Sequence, residues 1–140
     1  MPLKTIENGT VADAYLAILA DRGIDYFFGN AGTDFAPIIE SFSKAKALGT
    51  SAPKPILVPH ENLAIHMALG YYAVTGKPQV VMVHVNVGTA NALTGLINAS
   101  RGNIPVILPP VEHLILKLAT VKAFAPVKSI GLRKCLIKGR

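Results

Sequence analysis

Apolar positions along this chain follow two alternating patterns, one typical of helices and one typical of buried strands. Spacings of three and four residues between apolar positions, which mark one helix face, occur at residues 11–19, 35–42, 61–75 and 91–97. Short runs that are apolar throughout lie between them, at residues 26–28, 56–58, 80–83 and 106–108. Wholly apolar strands that alternate with helices predict a mostly parallel sheet covered on both faces. The expected fold is therefore α/β, with three layers in the order α/β/α.

Turn-forming residues delimit the predicted helices. Thr10 or Asn8 can cap the first helix, and Gly23 lies just past its end. Gly76 and Pro78 end the third helix. These boundaries agree with the periodicity, so the first 110 residues read as one continuous α/β pattern.

The chain after residue 110 follows a different pattern. Residues 111–125 could form one more helix, whereas residues 129–140 have no clear period. Residues 1–110 carry seven basic and seven acidic side chains, while residues 111–140 carry seven basic side chains against Glu112 alone. The net charge of +6 therefore belongs to the last segment. We expect a domain at 1–110 and a divergent basic tail at 111–140.

Composition narrows the classes of function. A basic tail can bind phosphates or nucleic acid, but no aromatic or glycine-rich residues accompany these lysines, so a solvated basic end is favoured. No apolar run approaches the roughly 18 residues of a membrane span, and the N-terminus lacks the apolar core of a signal peptide. The single Cys135 excludes an internal disulfide. We expect a cytoplasmic protein with neither nucleic acid nor membrane as a partner.

Several familiar motifs fail on spacing. His60-Glu61 begins like a zinc-protease helix, but Ala64 replaces the second histidine, which argues against a metal site. Gly29 and Gly32 follow a strand without completing a dinucleotide-binding fingerprint. What remains is a set of polar loop residues at the C-terminal ends of the predicted strands, where open α/β sheets bind ligands.

Three segments, in this order and spacing, resemble one protein family. The stretches YFFGNAGTD, VPHENLAIHMALGYYAVTGKP and VVMVHVNVGTANALTGLINASRGNIPVI are similar to the N-terminal pyrimidine-binding (PYR) domain of thiamine diphosphate (ThDP) enzymes. The acetolactate synthase and benzoylformate decarboxylase type is the most similar branch. The resemblance runs from about residue 5 to residue 108. It implies an incomplete PYR-type domain, ThDP as cofactor and a 2-oxoacid as substrate of the complete enzyme.

The resemblance assigns roles to five residues. Glu61 matches the glutamate that binds N1′ of the cofactor's aminopyrimidine and favours its imino tautomer; the alternative is an ordinary first-turn acid of a helix. His84 matches a histidine that handles protons on the substrate side, with a strand-end histidine bonded to backbone as the alternative. Gly32, Gly88 and Asn91 match cofactor-side loop positions, although Asn91 can also fasten its turn. Glu61 and His84 are thus the catalytic candidates, and Glu61, Gly32, Gly88 and Asn91 the cofactor-binding ones.

The resemblance also implies that a complete active site needs a second domain. Members of the family hold the diphosphate and Mg²⁺ through a second domain, and no motif of that domain occurs in this sequence. The implied partner is therefore a diphosphate-binding domain, often within a homo-oligomer, and the chain is expected to be inactive alone. The departure after residue 110 is compatible with truncation, a frame-shift or a natural short protein. The alternative function is a non-catalytic module that docks on full-length ThDP enzymes through the helix at 61–75.

Overall fold

The computed structural model of the protein describes residues 4–109 and 135–138 and confirms the α/β fold. The strands are β1 (Lys4–Glu7), β2 (Tyr26–Asn30), β3 (Lys54–Leu57), β4 (Gln79–Val83), β5 (Val106–Ile107) and β6 (Cys135–Lys138). The helices are α1 (Val11–Asp21), α2 (Ala36–Leu48), α3 (Glu61–Thr75) and α4 (Val85–Arg101), and a 3-10 turn, Thr33–Phe35, precedes α2. In the described part of the chain, no helix has the length and hydropathy needed to cross a membrane.

Four strands form a parallel sheet in the order β3-β2-β4-β5. Gly29 of β2 lies opposite Leu57 of β3 on one side and Met82 of β4 on the other. The chain therefore adds β3 to one edge of β2 and then crosses back to add β4 to the other. Such a reversal of strand order opens a crevice at the C-terminal ends of the two strands where it occurs. In this sheet those strands are β2 and β4.

Strands β1 and β6 pair in parallel as a separate two-stranded sheet. The sequence pattern predicts neither strand, because β1 is only four residues long and β6 falls in the segment without a clear period. The helix expected at residues 111–125 lies outside the described residues. The division into a domain at 1–110 and a tail at 111–140 stays a prediction.

Two apolar clusters cover the two faces of the four-stranded sheet. Successive side chains of a strand point to opposite faces, and β4 follows this rule. Val81 and Val83 are buried under α3 and α4, whereas Val80 packs toward α1 and the 3-10 turn. Residues 80–83 of β4 are thus covered from both sides of the sheet, which is why this stretch is apolar.

The helices bury most, but not all, of their predicted faces. Thr10 caps α1 and forms a capping box with Asp13, as expected, and Gly23 follows the helix with a φ of +73°. Leu19 is fully buried, but Val11, the first residue of α1, is 75% exposed. The predicted apolar face of α1 is therefore not buried at its first residue.

A buried glutamine, Gln79, links the N-terminal ends of β2 and β4 by hydrogen bonds. Gln79, which is fully buried, accepts hydrogen bonds from the backbone N–H groups of Asp25 and Tyr26 at 3.2 and 2.7 Å. Its amide nitrogen donates to the carbonyls of Lys77 and Pro78 at 3.2 and 2.8 Å. A polar side chain without exposure is stable here because both of its polar atoms are satisfied.

Candidate functional site

Three connections converge at the C-terminal edge of the sheet. Asn30 and Val83 are paired residues at the ends of β2 and β4, so the chain leaves both strands at the same level. The connection after β3 joins them, because the Asn30 side-chain amide donates to the carbonyl of Val58 at 3.0 Å. The crevice between these connections is the candidate site.

Glu61 is the first residue of α3 and one of the few buried charged residues, at 8% exposure. His60 caps the helix, its Nδ1 accepting a hydrogen bond from the backbone N–H of Asn62 at 3.2 Å. The unpaired N–H groups at a helix N-terminus favour a carboxylate at this position. The local sequence thus stabilises a buried acid at the point where the chain enters the crevice.

Asn91 and Gly88 define the surroundings of the Glu61 carboxylate. The side-chain amide of Asn91 donates to Glu61 Oε2 at 3.1 Å. Oε1 has no hydrogen-bond partner among the described residues, and a Cβ added at Gly88 would lie 3.1 Å from it. One oxygen is therefore fixed by protein, and the other faces space that the absence of a side chain at Gly88 leaves open.

The segment around Gly88 is helical rather than a loop. The sequence predicts a turn over residues 86–89, but α4 begins at Val85 and contains both Gly88 and Asn91. Asn91 consequently does not fasten a turn; it projects from the second turn of α4 to the carboxylate on α3. Helix–helix packing has prevailed over the local preference of Asn and Gly for turns.

His84 occupies the other side of the crevice, as the residue that precedes α4. Its Nδ1 lies 2.6 Å from Oδ1 of Asp34, in the 3-10 turn after β2. The alternative of a strand-end histidine bonded to backbone is not what the structure shows, because the partner of Nδ1 is a carboxylate. The ring is partly accessible, at 37% side-chain exposure.

Gly32 packs against the His84 ring. Its φ of −135° and ψ of −170° are extended values that any residue adopts, so its backbone does not require glycine. A Cβ at this position would collide with the His84 imidazole, with Cε1 only 2.7 Å away and two other ring atoms closer still. Gly32 is therefore needed for close approach of the backbone to the ring.

All five predicted site residues thus lie at one edge of the sheet, in two groups. Glu61, Gly88 and Asn91 form one group between α3 and α4, and Gly32 and His84 form the other beside the 3-10 turn. Sequence reasoning missed the pairing of Asp34 with His84. The two residues are fifty positions apart, and only the register of β2 against β4 brings them together.

Comparison with known proteins gives consistent matches. Residues 9–110 match the family model described as thiamine pyrophosphate enzyme, N-terminal TPP binding domain. The acetolactate synthase large subunit of Buchnera aphidicola is 32% identical over 127 residues, which cover 91% of this chain and 21% of that protein. The benzoylformate decarboxylase of Pseudomonas aeruginosa is 28% identical over 129 residues, covering 92% and 23%.

A solved structure gives the same result. The X-ray structure of a protein described as a thiamin diphosphate-dependent enzyme, from Mycobacterium smegmatis, superposes with a TM-score of 0.65 at 28% identity. The match covers 85% of this chain and 22% of that one. The chain therefore spans about a fifth of the length of these relatives.

Proposed function

We propose that the crevice forms the aminopyrimidine side of a ThDP site, because this chain belongs to the thiamine pyrophosphate enzymes and corresponds to their N-terminal TPP binding domain. The complete enzyme would act on a 2-oxoacid, as a decarboxylase or carboligase. The observation that carries the proposal is the Glu61 carboxylate, buried at the crevice with one oxygen free of protein partners.

The residues present fit the cofactor ring. A carboxylate oxygen without a protein partner can accept a hydrogen bond from a donor on a bound ring, and a protonated carboxyl could instead donate to a ring nitrogen. Gly88 leaves room next to Oε1, since a side chain there would come within 3.1 Å of that oxygen. Glu61, with Gly88 behind it and Asn91 beside it, would hold N1′ of the aminopyrimidine. When bound, ThDP supplies the nucleophilic carbon for cleavage next to a carbonyl.

The protein residues contribute orientation and proton control. Asn91 fixes Oε2, so the carboxylate plane of Glu61 is set before any ligand arrives. Oε1 would then be the oxygen left to exchange a hydrogen bond with N1′. His84, on the opposite side of the crevice, would transfer protons on the substrate side. Its accessible Nε2 is suited to this task, because the second nitrogen of an imidazole can accept or donate a proton while Nδ1 is held by Asp34.

The complete site requires parts beyond these residues. We propose that the diphosphate and a Mg²⁺ ion are held by a diphosphate-binding domain, supplied by a second subunit of a cytoplasmic oligomer. Residues 1–110 would form the pyrimidine-binding unit, and the basic tail at 111–140 would have no catalytic part. The isolated chain is then expected to be inactive toward 2-oxoacids.

The alternative function, docking on full-length ThDP enzymes through α3, loses its main motivation. It rested on the apolar composition of the helix, but Ala64, Ile65, Ala68 and Leu69 are buried in the chain's own core. Leu63, at 47% exposure, is an apolar residue of α3 that remains available to a partner. The composition of α3 is therefore explained mainly by the fold.

A domain exchange tests the proposal. Residues 9–110 replace the matching domain of a full-length acetolactate synthase, and the chimera is assayed for 2-oxoacid consumption and for hydrogen–deuterium exchange at C2 of bound ThDP. We expect the chimera to be active and Glu61→Gln to slow C2 exchange at least about tenfold, because proton transfer by a positioned group contributes that much or more.

Two controls make this result specific. Glu40→Gln, on α2 away from the crevice, should leave C2 exchange unchanged. A Glu61→Gln chimera that binds ThDP and exchanges C2 hydrogen at the unaltered rate would refute the assignment of Glu61. Circular dichroism melts of both chimeras show whether each is folded.

A further inference from the structure

We propose that Asp34 is a positioning residue that holds the proton of His84 on Nδ1 and leaves Nε2 as the atom that exchanges protons in the crevice. The tautomer itself follows from geometry, and its use in proton transfer rests on the proposed function. Asp34 would act through His84 rather than by touching substrate.

The contact between the two side chains dictates the tautomer. Nδ1 of His84 and Oδ1 of Asp34 are 2.6 Å apart, within the range of a strong, charge-assisted hydrogen bond. An ionised carboxylate can only accept, so the imidazole must donate from Nδ1. In the neutral ring Nε2 then carries the lone pair. It has no hydrogen-bond partner among the described residues and remains accessible.

Asp34 is itself rigidly held. The following residue, Phe35, is 3% exposed and belongs to the apolar cluster of the α1–α2 face. The backbone N–H of Phe35 donates to the carbonyl of Gly32 at 3.1 Å, which closes the 3-10 turn around Asp34. The backbone of Asp34 is therefore fixed within reach of the His84 ring.

The His84 ring is clamped on a second side. Gly32 lies so close to the ring that a Cβ there would overlap it, and Val83, which directly precedes His84, is fully buried in β4. The ring is thus held by close contact with Gly32 and by the hydrogen bond at Nδ1, while Nε2 has no hydrogen-bond partner among the described residues. Histidines oriented through one nitrogen by a carboxylate, with the other nitrogen left to act, are a recurring arrangement.

The test uses the full chain and reads the tautomer directly. The protein is labelled with ¹⁵N, and long-range ¹H–¹⁵N correlations of the imidazoles are recorded near pH 8, with His84→Gln identifying the His84 signals. We expect the Nδ1–H form to predominate in the wild type. In Asp34→Ala we expect His84 to shift to the Nε2–H form, which an unpartnered imidazole prefers.

Two further variants separate positioning from a structural role. Asp34→Asn keeps an oxygen that can accept from Nδ1, so it should retain more of the Nδ1–H form than Asp34→Ala. Asp25→Ala removes a carboxylate at the opposite edge of the sheet, where it binds Lys77 and Tyr71, and should leave the His84 tautomer unchanged. Unaltered methyl signals of the buried Val80 and Val81 show that each variant is folded.

The outcomes distinguish this proposal from the proposed function. An Nε2–H form in the wild type, or an Nδ1–H form that persists in Asp34→Ala, would overturn the positioning role even if the chimera is active. An inactive chimera would refute the proposed function and leave the tautomer result standing. If the positioning role and the proposed function are both correct, Asp34→Ala in the chimera should lower kcat about tenfold or more with little change in KM, as for other carboxylates that orient a working histidine.

Discussion

The Glu61 carboxylate combines two opposing demands on one residue. Its position at the start of α3 favours a negative charge, and Asn91 supplies one hydrogen bond. Oε1, by contrast, has no hydrogen-bond partner among the described residues, so the protein leaves this oxygen to be satisfied by water or a ligand. A residue retained for binding is commonly one that the fold alone would not select.

Glu61→Gln is therefore expected to leave the free energy of unfolding of the isolated chain unchanged or to raise it by about 1 kcal/mol. The substitution keeps the shape and an oxygen that can accept from Asn91, and it removes a charge whose partner is missing. Urea melts of the two proteins measure the difference. A loss of more than about 2 kcal/mol would show that Glu61 holds the fold together rather than serving a ligand.

Asn91→Ala is the companion variant. It should lower the free energy of unfolding by about 1 kcal/mol, because Oε2 of a nearly buried carboxylate loses its donor. In the Glu61→Gln background the loss should be smaller, since an uncharged side chain needs the donor less. Equal losses in both backgrounds would mean that Asn91 and Glu61 are not energetically coupled.

Individual residues of the site differ in how far sequence could assign them. Glu61 was identifiable as a candidate only through the resemblance to the PYR domain, because its position at the start of an apolar helix fits an ordinary first-turn acid equally well. Its contact with Asn91 and the pairing of Asp34 with His84 were not, because they join residues thirty and fifty positions apart. Such contacts depend on strand register and helix packing, which local spacing does not encode.

Among the elements, β3 shows where the apolar pattern and the structure differ. The apolar pattern places a strand at residues 56–58, but β3 is Lys54–Leu57 and begins with two exposed residues, Lys54 and Pro55. A strand at the edge of a sheet tolerates a lysine and a proline that a central strand would not. Position in the sheet, which follows from topology, decided these boundaries.

Gly95 allows α3 and α4 to pack closely. A Cβ added at Gly95 of α4 would lie 2.7 Å from Cγ2 and 2.8 Å from Cβ of Ile65 on α3. Ile65 is fully buried, so it cannot move aside easily. The close packing of these two helices sets the distance between Glu61 on one and Gly88 and Asn91 on the other.

Gly95→Ala is expected to destabilise the chain by about 1–3 kcal/mol through overpacking, despite the better helix propensity of alanine. Gly70→Ala is the matched control, because Gly70 lies in α3 with nothing within 4 Å of the added Cβ. It should raise the free energy of unfolding by up to about 1 kcal/mol. Thermal melts of both variants test the contrast, and stabilisation by Gly95→Ala would contradict the packing described.

An ion pair links α1 to α2 and makes the stability of the whole domain depend on pH. Asp13 accepts from Lys44 at 2.7 Å and also closes the capping box of α1. Desolvation alone would raise the pKa of Asp13, but hydrogen bonds from Lys44, Thr10 and Ser41 lower it to about 2. In an unfolded chain the pKa of an aspartate is about 3.9.

The pKa of Asp13 is lower in the folded protein than in the unfolded chain. The stabilisation that the ionised Asp13 contributes to the fold is therefore fully present above about pH 4 and is lost as the pH falls toward 2. Asp13→Asn should therefore cost about 1 kcal/mol near pH 6, and this difference from the wild type should shrink in acid. Urea midpoints measured from pH 6 to pH 2.5 follow it. A difference that does not vary with pH would assign the effect to the cap alone.

For the molecule as a whole, the sequence predicted the layers better than the strand order. Alternation of apolar strands with helices was sufficient for a parallel sheet covered on both faces, and the structure agrees. The order β3-β2-β4-β5 and the additional β1–β6 pair were not predictable, because nothing in an apolar strand states which neighbour it will have. The crevice arises from that order, so its location was known only as one end of the sheet.

The strand order also bears on how a ribosome can deliver this domain. Within the four-stranded sheet, β2 is synthesised first and is an interior strand, and β3, β4 and β5 then emerge in turn. Each newly translated strand finds a neighbour that has already left the exit tunnel: β3 and β4 add to the two edges of β2, and β5 adds to β4. After β2, no strand of this sheet waits for a later one before it can pair, so assembly can proceed in the direction of translation. The crevice between β2 and β4 is accordingly complete before the last described strand of the sheet is made.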